Sequence, residues 1–560
     1  MKKITIPIIL LLLAVFPFSF NHAQNTDFIA DQYSEISVKL WAYQEFFGWD
    51  SLFGKRIDNV GYPNNLGMLN NPDIFASIFM GILRPILPEA LCYNLMLCTI
   101  MFANLLSSYL LSYRWIRDAF AAILSAMIFA WSPVVLSYCI AGAITDVFHI
   151  WPYPLAIWLF LRGLEENPKY AIVAGLCFGL GFILCPYNFV IFTPIAIPLL
   201  GWLYFQRNSY EQIGQNLIFL IISAGILTGG YAYQILQITQ ASESMMSEEL
   251  LAQTRHTWPF FGLHIKRPDR YITTFSDFFT YGKENVIIRE AAARFYRAFS
   301  IPVSVLGLSI FALWRRYWLW GIIALFFILL SMGPFLAFSF EHYFDRQINV
   351  IWLGVYYLWP GTKMILEPFR YTLPAFLALG ILSGIGLASL KRLWLKNVLI
   401  IVCATELLFS STAPFPLAQT KVEIPEIYYH LDEHLPKGGI IEIPYYSFTT
   451  ARFNRKHFLN QRAHKRPIPN LIPGFIPDIY KKNQLILKLL QLEAPYDIKN
   501  EKEKDMKAAL EELKQLGFVG IILDKSEYKD PQDALRAQTI LEQQLSAPIK
   551  YKNLRIYRIP

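Results

Sequence analysis

The chain has 560 residues, of which 54% are hydrophobic and 16% are charged, and its formal net charge is +8. Soluble domains carry about 25% charged residues, so the composition excludes an ordinary soluble protein and indicates an integral membrane protein. The positive charge does not indicate nucleic-acid binding, because many Lys and Arg residues lie at the ends of apolar segments, where they set membrane orientation. The six cysteines lie in or beside apolar segments and lack the spacing of a zinc site or a disulfide framework.

The first 24 residues form a candidate targeting segment. Lys2 and Lys3 precede an apolar run from Ile4 to Phe20, which is close to the length needed to span a membrane. The small-residue pattern of a signal-peptide cleavage site is absent. We therefore predict that residues 1–24 are an uncleaved signal anchor and first transmembrane helix, with a cleaved signal peptide as the alternative.

Long apolar runs predict about eleven transmembrane helices. Runs of this kind form helices in lipid because each backbone polar group must find its partner within the segment. Short basic turns separate alternate spans and mark the cytoplasmic side. An odd number of spans then places the N-terminus inside and the C-terminal region outside. The predicted spans lie near residues 4–20, 92–113, 119–138, 148–161, 170–186, 189–205, 215–238, 298–314, 317–338, 371–390 and 397–413.

The polar segments divide the rest of the chain into a first outer loop at 25–91, a membrane domain at 92–419 and a soluble region at 420–560. Within the membrane domain, further outer loops fall at about 239–297 and 339–370. The soluble region contains strand-like segments on both sides of an amphipathic helical segment. The order of strand, helix and strand predicts a small extracytoplasmic α/β domain attached to a mainly α, polytopic membrane protein.

Two carboxylates, Asp27 and Asp31, open the first outer loop. A helix-patterned stretch follows, in which Ile36, Leu40 and Tyr43 share one face, and we predict that it lies along the membrane surface. One alternative is that the carboxylates cap this helix. The other is that they take part in chemistry, which the pattern alone leaves open.

Two further groups of polar residues lie on the predicted outer face. Asp146 and His149 are three residues apart in a turn, where they could hold a polar ligand or share a proton, or belong to a solvated turn. Lys363, Glu367 and Arg370 precede the tenth span. A cation at the membrane edge suits a lipid phosphate, and Arg suits it best because its planar fork binds two phosphate oxygens. The alternative is an interfacial anchor or an ion pair with Glu367.

The second outer loop, at 239–297, carries His256 and His264 among aromatic and basic residues, a mixture suited to sugars or lipid headgroups. A solvated loop is the alternative. The sequence has no metal-ligand spacing, nucleotide-binding loop or serine-hydrolase motif, so we expect no cofactor, although a divalent cation is not ruled out. Ionisable groups are scarce inside the spans, which counts against a transporter. We expect Glu406, the main one, to be a structural residue facing the bundle.

The arrangement as a whole resembles the GT-C superfamily of multi-span glycosyltransferases and, within it, the YfhO-like bacterial membrane proteins. Asp31, Trp41 and the Tyr62-Pro63 pair of "GYPNNLGML" follow the acid, Trp and Tyr-Pro order of the first loop. The resemblance continues through "FANLLSSYLLSYRW", "GAITDVFHIWPYPLAIWLFL", "EPFRYTLPAFLALGILSGIGL" and "LNQRAHKRPIPN". It is weakest at residues 239–297.

The resemblance implies a transferase that moves a sugar from a polyprenyl-phosphate carrier to an extracytoplasmic glycan, lipid or protein at the bacterial inner membrane. The first-loop acid would be the general base for the acceptor, and Asp31 aligns with it, with Asp27 as the alternative. Arg370 would neutralise the leaving phosphate. The acid-x-acid pair of metal-using members is missing, so a metal is not implied. A non-catalytic binder of lipid-linked glycans or an envelope assembly factor is the alternative, and a transporter is less favoured.

Overall fold

The computed structural model describes residues 27–30, 33–48, 57, 59–63, 73–206, 209–245, 300–315, 317–336, 347–359, 361–362, 368–411, 417–447, 452–470, 479–493 and 506–560. The predicted signal anchor lies outside the described residues. So do five of the candidate site residues, which are Asp31, His256, His264, Lys363 and Glu367.

The described part of the chain is mainly helical. Two helices, α1 and α2, precede the bundle, and eleven more form the membrane region. Four helices of seven or more residues lie in the C-terminal region, beside two of four residues at Leu431–His434 and Ile479–Lys482. The numbered helices are α1 Tyr33–Glu45, α2 Ile74–Leu83, α3 Glu89–Ile116, α4 Ala119–Ala130, α5 Pro152–Glu165, α6 Lys169–Leu184, α7 Pro186–Phe205, α8 Tyr210–Met245, α9 Val303–Trp314, α10 Trp318–Ser331, α11 Val350–Leu358, α12 Thr372–Ala388, α13 Leu393–Ser410, α14 Lys456–His464, α15 Gln484–Leu490, α16 Met506–Gln515 and α17 Pro531–Gln544. A π-helical turn, Val135–Ala141, follows α4.

Each of the ten predicted spans after the first coincides with a described helix. Within the described ranges, five helices are long and apolar enough to cross a membrane, and a sixth crossing is possible if α4 and the bent π-helical turn form one span. Helices α6, α9 and α10 are apolar but shorter, as is α2. A mainly helical membrane fold is therefore confirmed, whereas the number of helices that cross is not fixed by their lengths.

The burial of the spans shows how the bundle is layered. In the span that contains α12, Pro368–Ala388, 94% of an apolar stretch is buried inside the protein, against 11% for Tyr210–Tyr233 of α8. Small residues let neighbours approach α12 closely, since a Cβ atom on Gly380 would lie 2.6 Å from the carbonyl oxygen of Ser125. Helix α12 is thus the centre of the bundle, and α8 presents exposed apolar side chains at its edge.

Eight strands accompany the helices in the part of the chain that the structure describes. Residues 439–558 hold a four-stranded sheet in the order β3-β6-β8-β7, in which β3 and β6 are parallel and the other pairs are antiparallel. Strand β1 pairs with β2 in antiparallel register, with Asp27 opposite Lys421. The strands are β1 Asp27–Ile29, β2 Gln419–Lys421, β3 Gly439–Ile443, β4 Tyr446–Ser447, β5 Arg452–Phe453, β6 Phe518–Asp524, β7 Ile549–Tyr551 and β8 Leu554–Arg558.

Helix α1 does not lie along the membrane surface, so that prediction is wrong. Both of its faces are buried, with Leu40 at 0% and Trp41 at 1% exposure. The Trp41 indole donates to Gln461 of α14 at 2.7 Å. The charged residues of α1 also contact protein, because Glu35 binds Arg455 and Lys39 binds Asp146. Helix α1 is therefore enclosed between the membrane bundle and the C-terminal region.

Candidate functional site

The loop between the π-helical turn and α5 is held by contacts from several directions. Ala143 adopts a left-handed conformation with φ of 54°, which turns the chain towards α5. Two amide side chains then bind the loop's backbone. Asn104 donates to the carbonyl of Phe148 at 3.0 Å, and Asn188 donates to the carbonyl of Val147 at 2.9 Å. These bonds fix the path of residues 143–149, which we call the clamped loop.

Asp73 anchors the clamped loop to the first outer segment. It caps α2 by accepting from the backbone N–H of Ala76 at 3.1 Å, and it also accepts the hydroxyls of Tyr43, at 3.2 Å, and Thr145. Burial raises the pKa of Asp73, but the nearby imidazole of His149 and the charge of Lys39 outweigh it and lower the pKa to about 2. The carboxylate is ionised, 0% exposed and occupied by donors, so it is suited to positioning rather than to accepting a substrate proton.

Lys39 of α1 forms an ion pair with Asp146 of the clamped loop. Its Nζ lies 2.7 Å from Asp146 Oδ1, and the two side chains are 7% and 19% exposed. Burial lowers the pKa of Lys39, but the charges of Asp146 and Asp73 outweigh this effect and raise it. Lys39 is therefore charged, and Asp146, which is 19% exposed, is the carboxylate of this cluster that a ligand can reach.

His149 does not pair with Asp146, although the two are three residues apart. Its imidazole is 0% exposed, its Nε2 lies 3.8 Å from Asp73 Oδ1, and the ring of Phe75 packs on it at 4.8 Å. The two side chains diverge because residues 145–149 form turns rather than a helix. His149 therefore supports the loop from inside, while Asp146 faces Lys39 and solvent.

Arg370 lies at the start of α12 and is half-buried. Its guanidinium stands 5.0 Å from the centre of the Tyr187 ring, a cation–π contact. Tyr187 is followed by Asn188, whose side chain binds the clamped loop at the carbonyl of Val147. The start of α7 therefore contacts both Arg370 and the clamped loop that carries Asp146.

Asp27 does not cap α1, which begins six residues later, so that alternative is wrong for Asp27. It lies in β1, and its backbone carbonyl accepts from Asn94 at 2.9 Å. Its side chain is half-buried.

The sequence analysis missed Lys39, Tyr43, Asp73 and Thr145. One signal was present, since Asp73 stands directly before the apolar run of α2, but that pattern indicates only a helix cap. Among the residues that the structure describes, no three His, Cys, Asp or Glu side chains are grouped to hold a metal ion.

Comparisons with known proteins define the class of this fold. A family model described as dolichyl-phosphate-mannose-protein mannosyltransferase matches residues 89–229, from α3 into α8. The structure is similar to the arabinofuranosyltransferase AftD from Mycobacteria, with a TM-score of 0.57 and 13% identity over 100% of this chain and 40% of that one. A variant of AftD gives a TM-score of 0.58 and 12% identity over 99% of this chain and 41% of that one. The chain therefore has the fold of the GT-C-type membrane glycosyltransferases, as predicted.

The chain spans about 40% of the length of the AftD chain that it matches. The oligosaccharyltransferase AglB from Archaeoglobus fulgidus, solved with an inhibitory peptide and a dolichol-phosphate, matches with a TM-score of 0.45 and 12% identity over 93% of this chain and 70% of that one. No curated protein matches the sequence.

Proposed function

We propose that the protein is a YfhO-like glycosyltransferase of GT-C type, which transfers a sugar from a polyprenyl-phosphate-linked donor to an extracytoplasmic glycan, lipid or protein. It would lie in the bacterial inner membrane, with the N-terminus in the cytoplasm and residues 420–560 outside. The observation that supports this best is the clamped loop, which presents a partly exposed carboxylate, Asp146, and is bound by the start of α7, where Tyr187 contacts the Arg370 cation.

Arg370 is the proposed phosphate ligand. Negative charge develops on the phosphate as the glycosidic bond to the carrier breaks, and a fixed cation stabilises it. The Tyr187 ring supports the guanidinium, so less side-chain freedom is lost when the phosphate binds. Lys363 and Glu367 precede Arg370 in sequence and stay candidates for the same site, and His256 and His264 stay candidates for the sugar or the headgroup.

Asp146 is the proposed sugar ligand. Lys39 binds its Oδ1, and a sugar hydroxyl can donate to its other oxygen. The general base for the acceptor is Asp31 in this proposal, on the strength of the resemblance, with Asp27 as the alternative. Asp31→Asn should lower the transfer rate roughly 10²–10⁴-fold. Asn caps helices about as well as Asp, so thermal stability should change little. Normal turnover in the Asp31 and Asp27 double variant would remove the carboxylate mechanism.

A non-catalytic binder of lipid-linked glycans is the second candidate. The complete burial of His149 and Asp73 favours it, because these two groups are enclosed in packed protein and neither reaches a substrate directly. A transporter gains no support from Glu406, which accepts from the backbone N–H of Ser304 at 3.0 Å and so joins α13 to the start of α9. Glu406 is structural, as predicted.

Mass spectrometry of envelope glycans and polyprenyl-phosphate sugars in a deletion strain tests the proposal. A transferase predicts accumulated lipid-linked sugar together with a missing glycan residue. Complementation with Arg370→Ala should fail more severely than with Arg370→Lys, because Lys keeps the charge but loses the fork. Arg392→Ala is the matched control, since Arg392 is an exposed cation at the start of α13. An unchanged pool of lipid-linked sugars with altered envelope composition would support the binder instead.

A further inference from the structure

Two large apolar side chains are exposed just before the first described membrane helix. Ile82, in the last turn of α2, is 59% exposed, and Ile86, in the connection to α3, is 75% exposed. The turn that carries them is ordered by backbone hydrogen bonds, since the N–H groups of Ile86 and Leu87 both donate to the carbonyl of Leu83, at 3.0 and 2.9 Å. We call residues 82–87 the α2 tip.

The α2 tip has a fixed position against the rest of the first outer segment. Gly81 packs directly on Gly48, since a Cβ atom on Gly81 would lie 2.6 Å from the Cα of Gly48. Gly48 itself adopts a φ of +68°, which favours glycine. The other face of α2 is buried in the bundle through Ile74, Ala76 and Met80. Helix α2 therefore holds one apolar face in the protein core and presents a second apolar surface at its C-terminal end.

The charges around the α2 tip lie where a membrane interface would place them. Arg84 pairs with Glu89 at 3.1 Å, and its guanidinium covers the ring of Phe47, which is itself 40% exposed. Glu89 also binds Arg462 of the C-terminal region at 2.7 Å. Glu89 is the first residue of α3, a candidate membrane span. Long cationic side chains at the end of a span typically keep the charge at the headgroup level while apolar neighbours enter the lipid.

We propose that the α2 tip is inserted in the lipid bilayer, with Ile82 and Ile86 among the acyl chains and Arg84 at the phosphate level. Only Pro88 separates the α2 tip from the candidate span that begins at Glu89, so the chain enters the membrane directly after Ile82 and Ile86. Water is a poor environment for adjacent exposed isoleucines. The opposite end of α2 is capped by Asp73, which anchors the clamped loop. A single ten-residue helix thus connects the lipid surface to the candidate site.

Photo-crosslinking from within the bilayer tests this inference without an assay for sugar transfer. The photoreactive residue p-benzoylphenylalanine replaces Ile86 in one variant and Ile82 in a second, and the full chain is placed in nanodiscs of phosphatidylethanolamine and phosphatidylglycerol. Ile226 of α8, which is 77% exposed on a candidate span, is the positive control. Leu535 of α17, which is 46% exposed in the C-terminal region, is the negative control. The thermal transition of each variant is compared with that of the parent chain.

After irradiation, positions 86, 82 and 226 should each gain the mass of a phospholipid, and position 535 should gain none. Lipid adducts at position 226 without adducts at 86 and 82 would overturn the proposal, because the α2 tip would then face water. A crosslink from position 86 to a second copy of the chain would also overturn it. Neither result depends on whether the protein transfers a sugar.

Discussion

Two regions of the molecule contain nearly the same buried pair of side chains. Asp73 and His149 meet at 3.8 Å beside the clamped loop, and Glu442 and His464 meet at 3.7 Å in the C-terminal region. Each carboxylate also accepts a tyrosine hydroxyl, from Tyr43 at 3.2 Å in the first region and from Tyr428 at 2.8 Å in the second. Burial raises the pKa of both carboxylates, and neighbouring histidines help to lower it below its usual value in both.

The surroundings of the two pairs differ. Asp73 lies next to the Lys39–Asp146 ion pair, whose carboxylate is 19% exposed. Glu442 is bound by Asn460 at 2.6 Å, on the helix that docks against α1. A buried carboxylate–imidazole pair is therefore insufficient to mark a site, since the second pair joins a sheet to a helix. The first pair is relevant to function because a partly exposed carboxylate, Asp146, lies beside it.

Asp73→Asn should give the largest effect and Glu442→Gln is its matched control. Each variant weakens hydrogen bonds to a buried charged group, and such bonds contribute about 1.5–3 kcal/mol each to stability. Both variants should lower the thermal transition measured in detergent. Polyprenyl-phosphate binding, measured below both transitions, should fall in Asp73→Asn and stay at the parental level in Glu442→Gln. Equal loss of binding in both would erase the distinction between the regions.

A double-mutant cycle on Lys39 and Asp146 measures how strongly α1 is tied to the clamped loop. Lys39→Met and Asp146→Asn each remove one charge, and residues in direct contact couple by about 0.5–3 kcal/mol. We expect a coupling in the upper half of this range, because Lys39 is buried. The free energy of unfolding of the parent, both single variants and the double variant supplies the value. Strictly additive effects would mean that the pair does not hold the loop.

Mild acid should destabilise the C-terminal region before the clamped loop. Burial lowers the pKa of His457 from its ordinary value of 6.5, and it outweighs the opposing charge of Glu442. A lowered histidine pKa stabilises the fold above 6.5, and this contribution is lost as pH falls, by up to about 1.4 kcal/mol per pH unit. Asp73 loses its contribution only as pH falls from 3.8 towards about 2. His457→Asn should therefore flatten the dependence of the free energy of unfolding on pH between pH 7 and pH 5, as measured by urea titrations. If the free energy of unfolding of His457→Asn depends on pH as steeply as that of the parent chain, a group other than His457 titrates in this range.

The smallest effect is expected at the rim of the contact between α14 and the first outer segment. Lys465 lies 3.6 Å from Glu45 and is 55% exposed, so Lys465→Gln should cost about 0.2–1 kcal/mol. Arg462, which is 9% exposed and binds Glu89, should matter more when changed to Gln. The loss of stability in the two variants is compared by thermal unfolding at low and at high salt. A larger loss at Lys465 than at Arg462 would mean that exposure does not rank these pairs.

The helices of the bundle could be predicted within a few residues because lipid forces long apolar runs to satisfy their backbone locally. The burial of α1 on both faces could not be predicted in this way. Its periodicity showed one apolar face, and only the fold brings Arg455 to Glu35 and Asp146 to Lys39, from distant parts of the chain. Asp146 and Arg370 could be identified as candidates from their own sequence context. Asp73 could not, because its role depends on Tyr43 and Thr145, which only the fold brings to it.

The pairing of β1 with β2 limits how the chain is threaded through the membrane. Backbone hydrogen bonds join residues 27–29 to residues 419–421, so both segments lie on the same side of the bilayer. A chain that leaves one side and returns to it makes an even number of crossings. The ten helices predicted between the two strands satisfy this parity, and so do the six candidate crossings that the described helices give when the bent pair counts as one span. The first outer segment and the C-terminal region therefore share one compartment, whichever compartment it is.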